Sequence, residues 1–484
     1  MGRWGDGAMG RLAVVLVIAL AAVLRLYHLG TESLWIDEGY SLRDASEIGS
    51  MTAVRPLYFY MLHFWMKFGH SEAWLRLPSV IFGIGSAALL YTAARRIYGH
   101  KVGLIAALLL AISPLHINHS QEIRMYTLTT FLVIAEVIFF MRYVDTGRVR
   151  DLIACLALAV VAFLVFPLTV LMLAAFNLLF LGLLKQQRVT SLKWYASQFV
   201  IGLAAIPLSP QFIRVIQEYG EAWTWRIPRP GVLDLIWATR DFNLWRIPVD
   251  NHGGILIGGA YAVFVLALAA YGAVSVYKGA RWQTSLVVLW LAVPMVIMAV
   301  VSNTLANLWL VRYMIYASPA FYILTALGLA SIQKRWVFGL MVAAVMFLPV
   351  VRLGTYYGKV HRPEWRQAAA YVEEHLQNGD TIAVYRYGNR YVFDYYYSGR
   401  APWVALGPTH LSKSMFGNWS DRRIADMMSA IPSHNKRIWF ALSYHEDTGG
   451  FSIENYINNR YHVLETRDFV RVKLYLVTPN RKSG

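Results

Sequence analysis

Charged residues are scarce in this chain. Asp, Glu, Lys and Arg make up 15% of its 484 residues, where an average soluble domain has roughly 25%. That is too few to face water over a whole surface. Acids are scarcer than bases, 28 against 45, which leaves a formal net charge of +17 and a pI near 9.8. Cysteine occurs once, as Cys155 inside an apolar run, which excludes a disulfide framework and a cysteine-based metal site. There is no G-x-x-x-x-G-K-[ST] stretch, which argues against a nucleotide-driven pump. Internal repeats and low-complexity tracts are absent as well.

What fills the sequence instead is apolar. Hydrophobic residues make up 57% and aromatics 14%, with a mean hydropathy of +0.43. Long runs recur, among them Val14 to Leu24, Val80 to Ala93, Leu152 to Leu184, Ile255 to Val276 and Met314 to Ala330. A helix crosses a bilayer in about 20 residues, so this is a polytopic α-helical membrane protein. The first run lacks an A-x-A-like cleavage site and reads as a retained helix. Basic clusters at Arg95/Arg96/Lys101, Arg142/Arg148/Arg150, Lys185/Arg188/Lys193, Lys278/Arg281 and Lys334/Arg335 occupy every second connection. With a cytoplasmic N-terminus, about eleven crossings satisfy the positive-inside rule. The basic excess then reflects orientation in a cell membrane and contact with anionic lipid, not nucleic acid.

This alternation places the Asp37 loop, the turn around His116, the stretch from Arg214 to His252, and everything after Thr355 on the extracytoplasmic side. Hydropathy falls after Arg352, so residues 1–352 read as the membrane part and 353–484 as a small extracytoplasmic α/β domain. Trp365, Ala368, Ala369 and Val372 have helical spacing after Pro363. "TIAVY", "RIWFAL" and "VKLYLV" read as strands, and "SIENYINNRY" as a helix. "RPLYFYMLHFWMKFG" places Leu57, Tyr58, Met61, Leu62, Trp65 and Met66 on one stripe, with His63 and Lys67 off it. It reads as an interfacial helix or as a short span.

Four stretches carry chemistry. In "GTESLWIDEGYSL", Asp37 and Glu38 are a solvated, helix-capping pair or, held at the interface by Leu34, Trp35 and Ile36, proton acceptors. "SPLHINHSQEIRMYTL" gathers His116, His119, Gln121, Glu122, Arg124 and Tyr126 at a helix end, where such density faces a cavity. His116 and His119 have ligand spacing but no third ligand beside them. Arg124 suits a bidentate grip on phosphate, or snorkels toward headgroups. The same two readings apply to Arg312, next to Tyr313. Finally, Trp223, Trp225, Trp237 and Trp245 alternate with Arg226, Arg229, Arg240 and Arg246, as an interfacial aromatic belt or as a lid stacking on sugar while its arginines meet phosphate.

"RLYHLGTESLWIDEGYS", "RPLYFYMLHFW", "SEAWLRLPSVIFG" and "HSQEIRMYTL", in this order, resemble the GT-C superfamily of glycosyltransferases, of the protein-mannosyltransferase and lipid A aminoarabinose-transferase type. "LVRYMIYASPAF" is a weaker later echo. The resemblance implies a many-helix membrane fold with a cavity open to the outer leaflet and a sugar donor on a polyprenyl phosphate. It implies Asp37 as the base that deprotonates an acceptor hydroxyl, and Glu38 as orienting the acceptor or assisting a cation. Arg124 and Arg312, then Arg226, Arg229 and Arg240, are the candidates for the donor phosphate. Tyr58, His63, Gln121, Glu122, Tyr126, Tyr313, Trp223 and Trp225 are candidates for the remaining substrate contacts. Some superfamily members need a divalent cation and others do not, and His116, His119 and Glu122 leave that open. The chain has no room for the large luminal insert of eukaryotic protein mannosyltransferases. A lipid-linked glycan, a lipid headgroup or a cell-wall polymer is therefore as good an acceptor as protein. The alternative is a transporter or lipid-linked-sugar flippase with Asp37 and Glu38 as ion sites. Transporters, however, place ionisable groups near the midplane on broken helices, often in two similar halves.

Overall fold

A computed structural model describes residues 7–48, 56–205, 228–245, 252–407, 420–432, 436–443 and 450–479. The membrane part starts with α1 (Ala8–Leu26), then two short helices, α2 (Ile36–Ser46) and α3 (Pro56–Met66), then the long α4 (Glu72–Tyr98). Eleven residues of α3 rise about 16 Å, too little to span, and Tyr58, Phe59 and Leu62 are its buried face. The bundle continues with α5 (His100–Ile112), α6 (Pro114–Ser120), α7 (Tyr126–Thr146), α8 (Val149–Val165), α9 (Leu171–Leu183) and α10 (Arg188–Ala205). After α11 (Val232–Leu244) come α12 (His252–Tyr277), α13 (Arg281–Thr304), α14 (Ser318–Ala330, entered through a 3-10 turn Val311–Ala317) and α15 (Arg335–Gly358).

Seven of the described helices are long and apolar enough to cross a membrane, or eight if the bent pair α5 and α6 is one span. The expected number was about eleven. Part of the difference lies in the run Ile201 to Leu208, which continues past the described residues, and part in an apolar run that is divided into shorter helices. Leu152 to Leu184 breaks at Phe166, whose extended backbone precedes Pro167. The result is α8 and a shorter apolar piece, Pro167–Leu183. Val311–Ala330 is the most enclosed span, while α1 and α15 lie at the periphery.

Two features fix the bundle near the functional end. The 60° bend between α5 and α6 follows from Ser113, which caps α6, and Pro114 at its first position. The carbonyls that the break frees at the end of α5 are met by a fully buried cation. Arg25 donates to Ala111 O (3.0 Å), Leu110 O (3.2 Å) and Ser120 Oγ (3.1 Å). Further along, α12 and α14 cross at Gly272 and Gly328. A Cβ on Gly328 would stand 2.0 Å from Leu268 O, so only glycine allows this approach.

The C-terminal part comprises α16 (Trp365–His375), α17 (Arg390–Tyr396), α18 (Asp421–Met428) and α19 (Gly450–Arg460) around five strands: β1 (Asp380–Tyr385), β2 (Trp403–Leu406), β3 (Arg437–Ser443), β4 (Tyr461–Phe469) and β5 (Val472–Pro479). The order is β2-β1-β3-β5-β4, with β1 parallel to β2 and β3 and the rest antiparallel. Every residue of β1 is buried, because both faces are covered. Ile382 and Val384 share a core with Trp365, Ala368, Ala369 and Val372 of α16, while Ala383 and Tyr385 pack with Ile424, Ile453 and Ile457. The helical stripe and the three strands read from sequence are present. The edge strands β2 and β4 are additional.

Candidate active site

α2 begins immediately after Trp35, so Asp37 and Glu38 fall in its first turn, where carboxylates complement the helix dipole. From there the two acids go separate ways. Glu38 is 0% exposed. Its Oε1 accepts from Arg76 Nε (2.9 Å) and Ile123 N (3.0 Å). Its Oε2 accepts from Arg76 Nη2 (3.0 Å), Arg362 Nη1 (3.0 Å) and Trp35 N (3.2 Å). Both oxygens are thus fully engaged, and Glu38 ties the loop to Arg76 of α4 and to Arg362. Arg76 also donates to Leu29 O, Glu32 O and Ser33 O, which moulds the loop that leads into α2.

Asp37 is about one-fifth exposed and pairs through Oδ2 with Arg312 Nη1 at 3.1 Å. Its Oδ1 has no partner among the described residues. Behind it, Arg124 Nη1 donates to Asp37 O (3.2 Å) and to Ser41 Oγ (3.1 Å). Arg124 lies over the Tyr126 ring and Arg312 over the Tyr313 ring. The buried Nε groups of both arginines are without an acceptor, which costs stability unless an anion supplies one. Burial works against the charge on Arg124, but Tyr126 and Asp37 outweigh it and hold the guanidinium above its usual range. The geometry is thus a carboxylate with one free oxygen between two cations with spare donors.

Glu122 stands nearby, accepting from Asn118 Nδ2 (2.7 Å) and paired with His119 Nδ1 (3.1 Å). Burial alone would raise its pKa. The His119 pairing, with Arg362 and Arg312 further off, instead brings it down to about 2. Tyr58 is buried and pushed well above the ordinary phenol range by desolvation, in the field of Arg124, Glu38 and Glu122. His116 and His119 do not converge. His116 Nε2 meets Ser318 Oγ at 2.7 Å, whereas His119 turns to Glu122. No group of three His, Cys, Asp or Glu able to hold a metal occurs among the described residues. As placed, the two histidines have separate partners, Ser318 and Glu122, and do not face one another as a ligand pair.

Other expected contacts lie elsewhere. Gln121 donates to Arg25 O and Tyr27 O and accepts from Tyr356. His63 Nδ1 meets Ala45 O at 2.8 Å. Arg229 reaches Asn303 O, and Arg240 pairs with Asp241 and covers Trp237. None of these bonds involves Asp37, Arg124 or Arg312. Trp223, Trp225, Arg226 and Arg246 lie outside the described residues, and with them half of the Trp and Arg side chains of the expected lid. Arg76 and Arg362 carry the Glu38 clamp and were given no role from sequence. A charged side chain between Leu75 and Leu77, at the mouth of a long apolar helix, was the available signal for Arg76.

With this geometry in view, comparison with known proteins is informative. The profile of the family "Dolichyl-phosphate-mannose-protein mannosyltransferase" matches residues 53–213, about a third of the chain. That segment includes Arg76 and Arg124 but neither Asp37 nor Arg312. No curated protein sequence matches. Among solved structures, ArnT from Cupriavidus metallidurans superposes with a TM-score of 0.60 at 14% identity, covering 97% of this chain and 98% of its own. The same enzyme bound to undecaprenyl phosphate scores 0.60 at 15% identity, with the same coverage. The Archaeoglobus fulgidus oligosaccharyltransferase, in complex with Zn and sulfate, scores 0.57 at 11% identity over 96% of this chain and 72% of its own. The fold is that of the GT-C glycosyltransferases, and the multi-span membrane architecture is shared with them.

Proposed function

We propose that the protein is a membrane glycosyltransferase that moves a sugar from a polyprenyl-phosphate donor to a hydroxyl acceptor, with inversion, at the extracytoplasmic face. The acceptor is a glycan, lipid or protein. The observation that carries this reading is the free Asp37 Oδ1 beside two guanidiniums with unpartnered Nε groups. The solved neighbour that binds undecaprenyl phosphate supports the donor class. Asp37 Oδ1 takes the proton of the acceptor hydroxyl as its oxygen attacks C1 of the sugar. The bond from C1 to the phosphate oxygen breaks on the opposite face, and Arg124 and Arg312 take up the charge of the departing phosphate.

The ion pair between Asp37 and Arg312 has a consequence for order. Without donor, Arg312 occupies one oxygen of the base. The donor phosphodiester carries one negative charge, as Asp37 does, and its non-bridging oxygens can also engage the unpartnered Nε of Arg312 and Arg124, so its arrival lets the guanidinium move onto the phosphate and frees the carboxylate. Donor thus binds before acceptor is deprotonated.

The test uses purified full-length protein in nanodiscs with a polyprenyl-phosphate sugar, scored by release of the carrier. Asp37→Asn should lower turnover by about 10²- to 10⁴-fold while the protein folds normally; near-normal turnover would remove the assignment. Orientation is tested separately. Residues 353–484 are proposed as an extracytoplasmic domain and the N-terminus as cytoplasmic. Cys155 is buried, so Ser429→Cys on an exposed turn should take an impermeant maleimide from outside intact cells. Labelling only after permeabilisation reverses the orientation.

A further inference from the structure

A cavity of about 250 Å³ lies against the two arginines of the Glu38 clamp. Its floor is Arg76, Arg362 and Gln121, and its rim includes His28, Thr31, Lys359 and Gln367. Asp37, Arg124 and Arg312 do not line it. We propose that this cavity is a binding site for a neutral sugar unit of the acceptor, distinct from the site of transfer. That the sugar belongs to an acceptor rests on the glycosyltransferase reading above; the chemistry of the cavity stands without it.

Charge is the first argument. Arg76 is neutralised by Glu38, which leaves Arg362 and Lys359 against Glu32 and Glu364. The lining is balanced, which favours neither a phosphate nor a free amine. Unused hydrogen-bonding capacity is the second. Gln367 Oε1 accepts from Ser33, which leaves the Nε2 donors free. Glu364 Oε2 accepts from Val470 N, which leaves Oε1 as a free acceptor. Lys359 Nζ has no partner among the described residues. Donors and acceptors side by side suit hydroxyls, which are both.

The aromatic wall is the third argument. Tyr356 and Tyr357 meet edge to face at 5.0 Å, and His28 stands edge-on to Tyr357. Their hydroxyls are already spent, on Gln121 Oε1 and Leu24 O. What they offer the cavity is apolar ring surface, the kind that covers the CH face of a pyranose. His28 is held there by a left-handed backbone, φ 59°, which non-glycine residues adopt sparingly.

The experiment is saturation-transfer NMR on the full-length protein in nanodiscs. The probes are the methyl glycosides of glucose, mannose and galactose, with inorganic phosphate as competitor. The double variant Glu364→Gln/Gln367→Ala removes one acceptor charge and two donors without touching Asp37, Arg124 or Arg312. At least one glycoside should show transfer in the parent. Its affinity should fall about tenfold in the double variant, with undecaprenyl phosphate binding and thermal unfolding unchanged. Equal transfer in parent and variant, no transfer with any glycoside, or displacement by phosphate overturns the proposal. If Asp37→Asn keeps full turnover while the variant loses glycoside, the proposed transfer chemistry falls and the sugar site stands. If Asp37→Asn is inactive and the variant binds as the parent does, the reverse holds.

Discussion

Adjacent carboxylates with different surroundings should fail differently, and Glu38→Gln is the informative substitution. Glu38 is fully buried and balances two buried cations, Arg76 and Arg362. An amide of the same shape keeps the volume but removes the charge and turns two N–H donors toward groups that are themselves donors. Removing one partner of a buried ion pair costs about 3–5 kcal/mol, because the other partner is left uncompensated. The second arginine and the loss of one of the two bonds from Ile123 N and Trp35 N, since the amide keeps a single oxygen, argue for the upper part of that range. Asp37→Asn removes a single pair that is about one-fifth exposed on both sides, keeps a polar side chain that can still accept from Arg312, and should cost less, about 1–2 kcal/mol. Thermal unfolding of the two purified variants in one detergent, read beside carrier release, separates them. Glu38→Gln should unfold several degrees lower and lose activity as the loop shifts, whereas Asp37→Asn should unfold near the parent and lose activity alone. Equal thermal stability of Glu38→Gln and parent would refute the claim that Glu38 is the structural member of the pair.

Arg312→Gln should weaken binding of undecaprenyl phosphate and lower turnover together, since it removes a phosphate donor and frees the base at once; tight donor binding in this variant would remove Arg312 from the phosphate site. Glu122 has a depressed pKa in the folded protein, about 2 against 4.5, so its stabilising contribution is complete above about 4.5 and is lost as pH falls toward 2. Glu122→Gln should therefore flatten the acid-unfolding curve in that window, which fluorescence against pH can read. Gly328→Ala drives a Cβ into the backbone of α12 and should cost at least about 1–3 kcal/mol; an unchanged melting temperature would contradict the close crossing.

The parts of the molecule that local pattern describes could be read from sequence. The stripe Trp365, Ala368, Ala369 and Val372 is a buried helix face, because 3.6-residue spacing is all that such a face requires. Asp37, Arg124 and Arg312 stood out as charges in apolar surroundings, and the fold brings them to one place. Arg362 was invisible for a physical reason. It sits in a soluble-looking stretch, and its partner lies 324 positions away, so no periodicity links them. Glu38 could not be told apart from Asp37 for the same reason, since it looks like a second reactive acid until its distant arginines are known. β4 alternates half-buried and exposed residues at the sheet edge and so lacks the apolar run that marked the inner strands, whereas β2 is apolar but only four residues long. The run Leu152 to Leu184 reads as one apolar stretch because hydropathy does not register the break at Phe166 and Pro167 that divides it into two helices.

The Glu38 clamp also imposes a sequence in time. Arg76 follows its carboxylate by 38 positions, but Arg362 comes after the last membrane helix. During synthesis the nascent chain can complete its whole insertion with Glu38 held by one arginine. The second arrives only when the segment leading into the sheet emerges and folds back across the bundle. A chain cut short after α15 would insert and yet lack the strut beside Asp37, so the late segment completes this site only after the membrane part is in place.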